Sequence, residues 1–373
     1  SRSSEIYTRV VAELQQSLIR ENITVIDEDM IAVKLGFSYN TDRTKQELIQ
    51  TLSIANETTD ATVRSRLGVI FAIFPNIQEI SFQVLLSPCN PLNTFFFEIE
   101  NLSFQYTKHK VLFDQLNLQL TKGGIVGLFG KNGAGKTSLI KIISGLIFPQ
   151  HGQVTVQGHN PARRLPSFLR NVYFLPDEVG GFADKISQYV SLYSPFYPQF
   201  NNERFLAMLS DFGINQTDHL KHLSYGQRKQ FYICFGLATN SDLIIMDEPT
   251  NGLDIPSKSI FRKLVASCMT VETSIIISTH QVRDLGNLID RVVILEGGQI
   301  VFNHSLDRIA QTYDFVQAGT DFVSDQILYH EEGVGQVKAI IKSSGQGHSK
   351  VDFEMLFNGV VQNPQKFKIS EHE

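Results

Sequence analysis

The chain has 373 residues, of which 42% are hydrophobic and 19% charged, enough for two or three domains with ample cores. A formal net charge of -5 gives no electrostatic reason to expect a nucleic-acid partner. Cys89, Cys234 and Cys268 lie far apart with no disulfide or metal-ligand spacing, which suits packing roles in a reducing compartment.

Residues 1–93 read as a small α/β segment. Ile6, Val10, Val11, Leu14 and Leu18 make one apolar helix face. Ile23 to Ile26 reads as a strand, Thr44 to Ala55 as a second helix, and Leu67 to Phe74 and Ile77 to Leu86 as two strand-like runs. No catalytic constellation stands out here. The breaker-rich stretch Ser87 to Asn93 reads as a junction. The apolar runs, Val69 to Phe74 among them, fall well short of the roughly 20 residues that span a bilayer, and no secretory or transit segment is evident.

The most informative stretch follows. Gly124 to Phe129 is a short apolar run of buried-strand type, and Ser138 to Ile143 has helical spacing. Between them Gly130, Lys131, Asn132, Gly133, Ala134, Gly135, Lys136 and Thr137 fit a phosphate-binding loop at every fixed position. The chemistry needs this context, because backbone N–H groups must converge on phosphate oxygens at a helix N-terminus. Gly133 and Gly135 keep a Cβ out of the way of the anion. Lys136 is expected to reach the β- and γ-phosphates, and the Thr137 hydroxyl to ligate Mg²⁺. A nucleoside triphosphate is the expected ligand.

Apolar spacing of helical type runs through 163–235, as at Phe205, Leu206, Leu209 and Phe212, with Pro195 and Pro198 marking a loop between helices. Leu243 to Met246 is then a strand buried on both faces, ending in Asp247 and Glu248. Carboxylates there emerge where α/β sheets place their ligands. Asp247 is expected to hold Mg²⁺ and Glu248 to polarise the water that attacks the γ-phosphate. Ser259 to Cys268 reads as a helix and Ser274 to Ser278 as a further strand.

Leu223-Ser224-Tyr225-Gly226-Gln227 resembles the signature of ATP-binding cassette (ABC) ATPases at four positions of five. The family's other motifs follow in order. Pro249 to Asp254 resembles the D-loop, His280 the switch histidine, and Tyr106 the aromatic that stacks on adenine; Ser138 closes the phosphate loop. Two positions depart from the pattern. Tyr225 replaces the first glycine of the signature pair, and its ring is expected to turn outward while Gly226 makes the close approach to phosphate. Asp177, or Glu178 beside it, takes the place of the Q-loop glutamine as a possible contact to Mg²⁺ or its water.

The resemblance covers about residues 96–305 and implies a P-loop NTPase (ABC ATPase) α/β core with a helical subdomain. It implies ATP and Mg²⁺ as ligands, with Lys136, Glu248 and His280 in the catalytic role. It further implies a second cassette whose Ser224, Gly226 and Gln227 complete the site, so a homodimer is expected. The expected role is the energising subunit of a transporter, on the cytoplasmic face of the cell membrane beside an integral-membrane permease. Export is the expected direction, since residues 306–373 resemble a short C-terminal extension found on subunits serving ABC-2-type permeases. That extension reads as a dimer brace, a regulatory tail or plain packing, with a strand at Val337 to Ile341 and a short helix at Phe353 to Phe357. The alternative is a soluble ABC ATPase of translation or DNA repair. A single cassette, and too little chain between Ser138 and His222 for a coiled coil, weigh against it. The domain division is thus 1–93, 94–305 and 306–373. A chain beginning with Ser, and a cassette self-sufficient from about Phe97, make an upstream fusion or read-through the expectation for the first part.

Overall fold

The computed structural model describes residues 35–37, 80–82 and 95–369, apart from 108–109, 181–184, 271, 320–325, 335 and 344–349. The chain divides into two compact units, Ser1–Thr94 and Phe95–Glu373. In the first, β1 (Leu35–Phe37) pairs antiparallel with β2 (Ile80–Phe82), Leu35 opposite Phe82. β2 falls inside the run expected as a strand, whereas β1 has no counterpart among the expected segments. The helices expected over 6–18 and 44–55, the strands over 23–26 and 67–74, and the junction at 87–93 lie outside the described residues.

In the second unit, continuous apolar runs become a sheet covered on both faces. β5 (Gly124–Phe129), β7 (Val172–Leu175), β8 (Leu243–Asp247), β9 (Ser274–Thr279), β10 (Arg291–Glu296) and β11 (Gln299–Ser305) form one sheet of order β11-β10-β5-β9-β8-β7, antiparallel only at β11. Side chains alternate across a strand, and the two cores follow that alternation. Ile125, Ile244, Ile275 and Val292 enter one core, while Val126, Ile245, Ile276 and Val293 enter the other. The parallel strands thus leave no solvated face, which is why they carry so little polar alternation.

One face is closed by α1 (Lys136–Ile143) and by an antiparallel sheet of β4 (Lys110–Thr121), β3 (Phe95–Thr107) and β6 (His151–Val156). The other receives a helical layer. In the 163–235 stretch, α2 (Pro166–Leu169) puts Phe168 into the core on the α1 side before β7, and α3 (Ile186–Tyr193), α4 (Asn202–Asp211) and α5 (Tyr225–Ala238) form that layer. Phe205 and Leu209 of α4 are buried as their spacing requires, and Pro195 sits in a 3-10 turn between α3 and α4. α6 (Ile255–Cys268) begins four residues before the expected start, because Asp254 Oδ1 accepts from Ser257 N at 2.9 Å and Pro256 fits the first turn.

The C-terminal extension is built from α7 (Leu306–Thr312), a three-stranded antiparallel sheet of β12 (Tyr313–Ala318), β14 (Gln336–Lys342) and β13 (Ile327–Gly333), and α8 (Phe353–Gln362). α8 is twice the expected length. Its Phe353, Leu356 and Val360 join the core that β5, β8 and β9 share with the helical layer, and the Phe353 ring lies 6.3 Å from that of Phe129 at the end of β5.

Candidate functional site

The C-terminal ends of β5, β8 and β9 lie side by side, Phe129 opposite Thr279 and Asp247 opposite Ser278. Whatever follows these strands is therefore brought together. After β5 the glycine loop curls back on itself: Lys136 donates from Nζ to the carbonyls of Gly130 at 2.7 Å and Lys131 at 3.3 Å. Burial lowers the Lys136 pKa, with the nearby Glu248 and Asp247 carboxylates working against it. Gly133 holds φ at +81° with open space where a Cβ would stand. At Gly135, with φ at +109°, a Cβ would come within 2.8 Å of the Phe113 ring, so packing behind the loop also demands glycine there.

The two acids stand at the end of β8, Asp247 as its last residue and Glu248 just beyond it. Asp247 Oδ2 accepts from Thr137 Oγ1 at 2.7 Å, and Oδ1 accepts from Ser278 Oγ. Glu248 is clasped by the last residue of β9 and the one that follows it. Thr279 Oγ1 donates to Oε2 at 3.0 Å, the His280 backbone N–H donates to Oε1 at 3.0 Å, and His280 Nδ1 lies 2.7 Å from Oε1. Lys136 Nζ stands 3.9 Å from the same oxygen. In sequence Ser278 reads only as the end of a strand; the role of Ser278 and Thr279 as donors to the acids depends on strand adjacency.

These groups border a cleft of about 670 Å³ lined by Tyr106, Asn132, Lys136, Thr137, Glu248 and His280 with eight other residues. Gly133, Gly135, Ser138 and Asp177 are among those eight; Gly130, Lys131, Ala134 and Asp247 are not part of the lining, and Lys131 is exposed and paired with Glu296 at 3.3 Å. Tyr106 is 64% exposed, with its ring edge-on to Phe104 at 4.9 Å and its hydroxyl 2.9 Å from Ser138 Oγ. A large aromatic ring left open beside a polar cleft is suited to stacking. Of the two acids after β7, Asp177 lines the cleft and Glu178 is exposed outside it. Asp177 Oδ1 is approached by Lys229 Nζ at 3.2 Å and Asn251 Nδ2 at 3.3 Å, and nothing in the sequence marks Lys229 as a partner of this site.

Ser224, Gly226 and Gln227 are not brought to this cleft. They open α5 as a capping box, Ser224 Oγ accepting from Gln227 N at 3.2 Å and Gln227 Oε1 from Ser224 N at 2.9 Å. Tyr225 does not turn outward as expected. Its ring packs on Gly252, and its hydroxyl donates to the Asp177 carbonyl at 2.8 Å. At Gly226 a Cβ would come within 2.7 Å of the Gly252 carbonyl oxygen, so the D-loop alone already requires glycine.

Residues 113–251 match the family model described as ABC transporter. The ABC transporter ATP-binding protein YtrB of Bacillus subtilis is 29% identical over 227 residues, covering 60% of this chain and 77% of its own. The phosphonates import ATP-binding protein PhnC of Wolinella succinogenes is 30% identical over 225 residues, covering 55% of this chain and 82% of its own. A solved structure of an ATP binding subunit of an ABC transporter shares the fold with a TM-score of 0.52 at 23% identity, over 57% of this chain and 91% of that one. The glycine loop and the paired acids lie within the matched span and the histidine beyond its end, on the strand ends where the geometry gathers them, and the chain belongs to the ABC transporter family as one of its ATP-binding proteins.

Proposed function

We propose that this chain hydrolyses ATP in the cleft beside β5, as a subunit that works in pairs and drives a separate membrane permease. The observation that carries the reading is the clasp on Glu248. A carboxylate held by Thr279 and His280, beside Lys136 and at the mouth of a phosphate-type loop, is placed to take a proton from an attacking water. In this reading Lys136 exchanges its loop carbonyls for phosphate oxygens, the N–H groups opening α1 cradle the same phosphates, and Tyr106 stacks on the adenine. His280 keeps Glu248 oriented through Nδ1. A hydroxyl and a carboxylate side by side, Thr137 and Asp247, are hard oxygen donors that fit Mg²⁺, with Asp177 as a further acid on the cleft wall. Mg²⁺ held there supplies neutralisation of the charge on the β- and γ-phosphates.

Ser224, Gly226 and Gln227 open a helix away from their own cleft, which supports their use by a second copy in a symmetric head-to-tail pair. Among the described residues no helix is long and apolar enough to cross a membrane, and the permease is in this reading a separate chain, with this subunit peripheral on the inner face of the cell membrane. The direction we propose is export, on the likeness of the extension at 306–373 to those of exporter subunits. Phosphate release from ATP by the purified chain tests the chemistry. It should require Mg²⁺, stop on chelation, and fall together with ATP affinity in Lys136→Ala; unchanged kinetics in that variant would remove the loop from the site. Retention of a membrane protein by the tagged chain from detergent extract tests the partner, and capture of ribosomal or repair proteins instead would favour the soluble alternative.

A further inference from the structure

We propose that Lys229 is a positioning residue of the cleft, an internal cation that holds Asp177 on the cleft wall and ties the loop after β7 to the first turns of α5. The inference rests on the reading of the cleft as an ATP site and adds a residue that does not touch it. Lys229 is fully buried. Its ammonium donates to the Asp177 carbonyl and to Oδ1 of the same residue at 3.2 Å, with the Pro176 carbonyl at 3.4 Å and the Asp247 carbonyl at 3.5 Å. Burial lowers its pKa, and the Asp177 carboxylate works against that.

A buried ammonium is costly unless paired and hydrogen-bonded, and a plain packing role would be filled more cheaply by an apolar side chain. What sets this pair apart is where its carboxylate stands. The Asp177 side chain is 38% exposed and on the cleft wall, so the charge pair reaches from the protein interior to the ligand space. Two further groups converge on the same residue: the Tyr225 hydroxyl donates to its carbonyl at 2.8 Å, and Asn251 Nδ2 to its carboxylate at 3.3 Å. The signature turn, the D-loop and the loop after β7 therefore meet at Asp177. Lys229 also reaches the carbonyl of Asp247, the residue whose carboxylate accepts from Thr137. A ligand that draws on the Asp177 carboxylate changes the pairing of Lys229, and a shift of 176–177 pulls on the turn that presents Ser224.

The test uses the full chain with Lys229→Met, Lys229→Arg, Asp177→Asn and the double variant Asp177→Asn/Lys229→Met. Lys229→Met is expected to lower kcat about tenfold or more while KM for ATP stays within about threefold, since the lysine lies outside the cleft lining. Lys229→Arg should recover much of that rate. The double variant should lose less than the product of the two single losses, because the ion pair that both changes break is lost only once. Amide exchange over 174–179 should quicken in Lys229→Met while β8 stays protected. Wild-type kcat in Lys229→Met, or losses that multiply in the double variant, would overturn the proposal. Should the wild type show no ATP hydrolysis, the enzymatic reading fails, and unaltered exchange over 174–179 would then overturn the tether independently. Should Lys229→Met not fold, the half-exposed Asp177→Asn carries the same expectations for kcat and exchange, and unchanged values in it overturn the proposal.

Discussion

Glu248 holds φ at 45°, a left-handed conformation for a residue with a side chain, at a cost of about 1–3 kcal/mol. The surroundings impose it: Glu248 N donates to the Ser278 carbonyl at 2.9 Å while three groups fix the carboxylate. The strain aims the carboxylate across the end of β9 toward Lys136 rather than along β8. Glutamine keeps the shape but cannot take a proton, so Glu248→Gln should lower turnover by about 100-fold or more with ATP affinity within a few-fold. Single-turnover phosphate release and equilibrium nucleotide binding check the two halves, and undiminished turnover would remove Glu248 from the role. Lys136, Thr137, Asp247 and Glu248 could be expected together because each sits in a short run whose local order already implies strand, loop and charge, whereas His280 was expected only from the family resemblance. The Asp177–Lys229 pair was not, since its members are separated in the chain and meet only after α5 packs on β7 and β8. The Tyr225 ring was misjudged for the same reason: nothing local to Leu223 to Gln227 says that Gly252 lies beneath it.

At the scale of elements, the continuous apolar runs were read correctly as β5, β8 and β9 because a strand covered on both faces has no polar alternation to hide it. The antiparallel strands β3, β4 and β6 have no counterpart among the expected segments; they are half-exposed, and β3 is broken by register shifts against β4. The C-terminal extension shows most clearly where local pattern runs out. Its strands β12 and β13 gave no clear signal, and whether it packs against the cassette depended on partners far upstream. In the structure α8 lays Phe353, Leu356 and Val360 into the same core as Phe129 and Ile277, and Arg283, three residues beyond His280, pairs with Glu354. The extension thus bears on the strand end that carries the glycine loop. Leu356 is fully buried there. Leu356→Ala should therefore destabilise the whole cassette by about 2–5 kcal/mol, seen as a lower denaturation midpoint for nucleotide-site and extension probes together. A transition in which the extension melts alone, with the cassette unmoved, would show that the shared core contributes little to cassette stability.

At the scale of the whole molecule, the separation of the signature from its own cleft makes a prediction about mixtures. Lys136→Ala spoils the glycine loop and leaves the signature; Ser224→Arg spoils the signature turn and leaves the loop. Each variant alone has two broken composite sites if sites form between copies. In an equal mixture about half the pairs are mixed, and by two-fold symmetry each mixed pair has one site with both halves intact and one with neither. Activity near a quarter of wild type is then the ceiling for independent sites, falling toward zero the more each site depends on the other. Closure by a few charge-assisted contacts of about 1.5–3 kcal/mol each at the γ-phosphate is enough to shift an open pair to a closed one, so the complemented rate should rise with total protein concentration as pairs form. Wild-type turnover in Ser224→Arg alone would mean that the cleft works without Ser224 from a second copy.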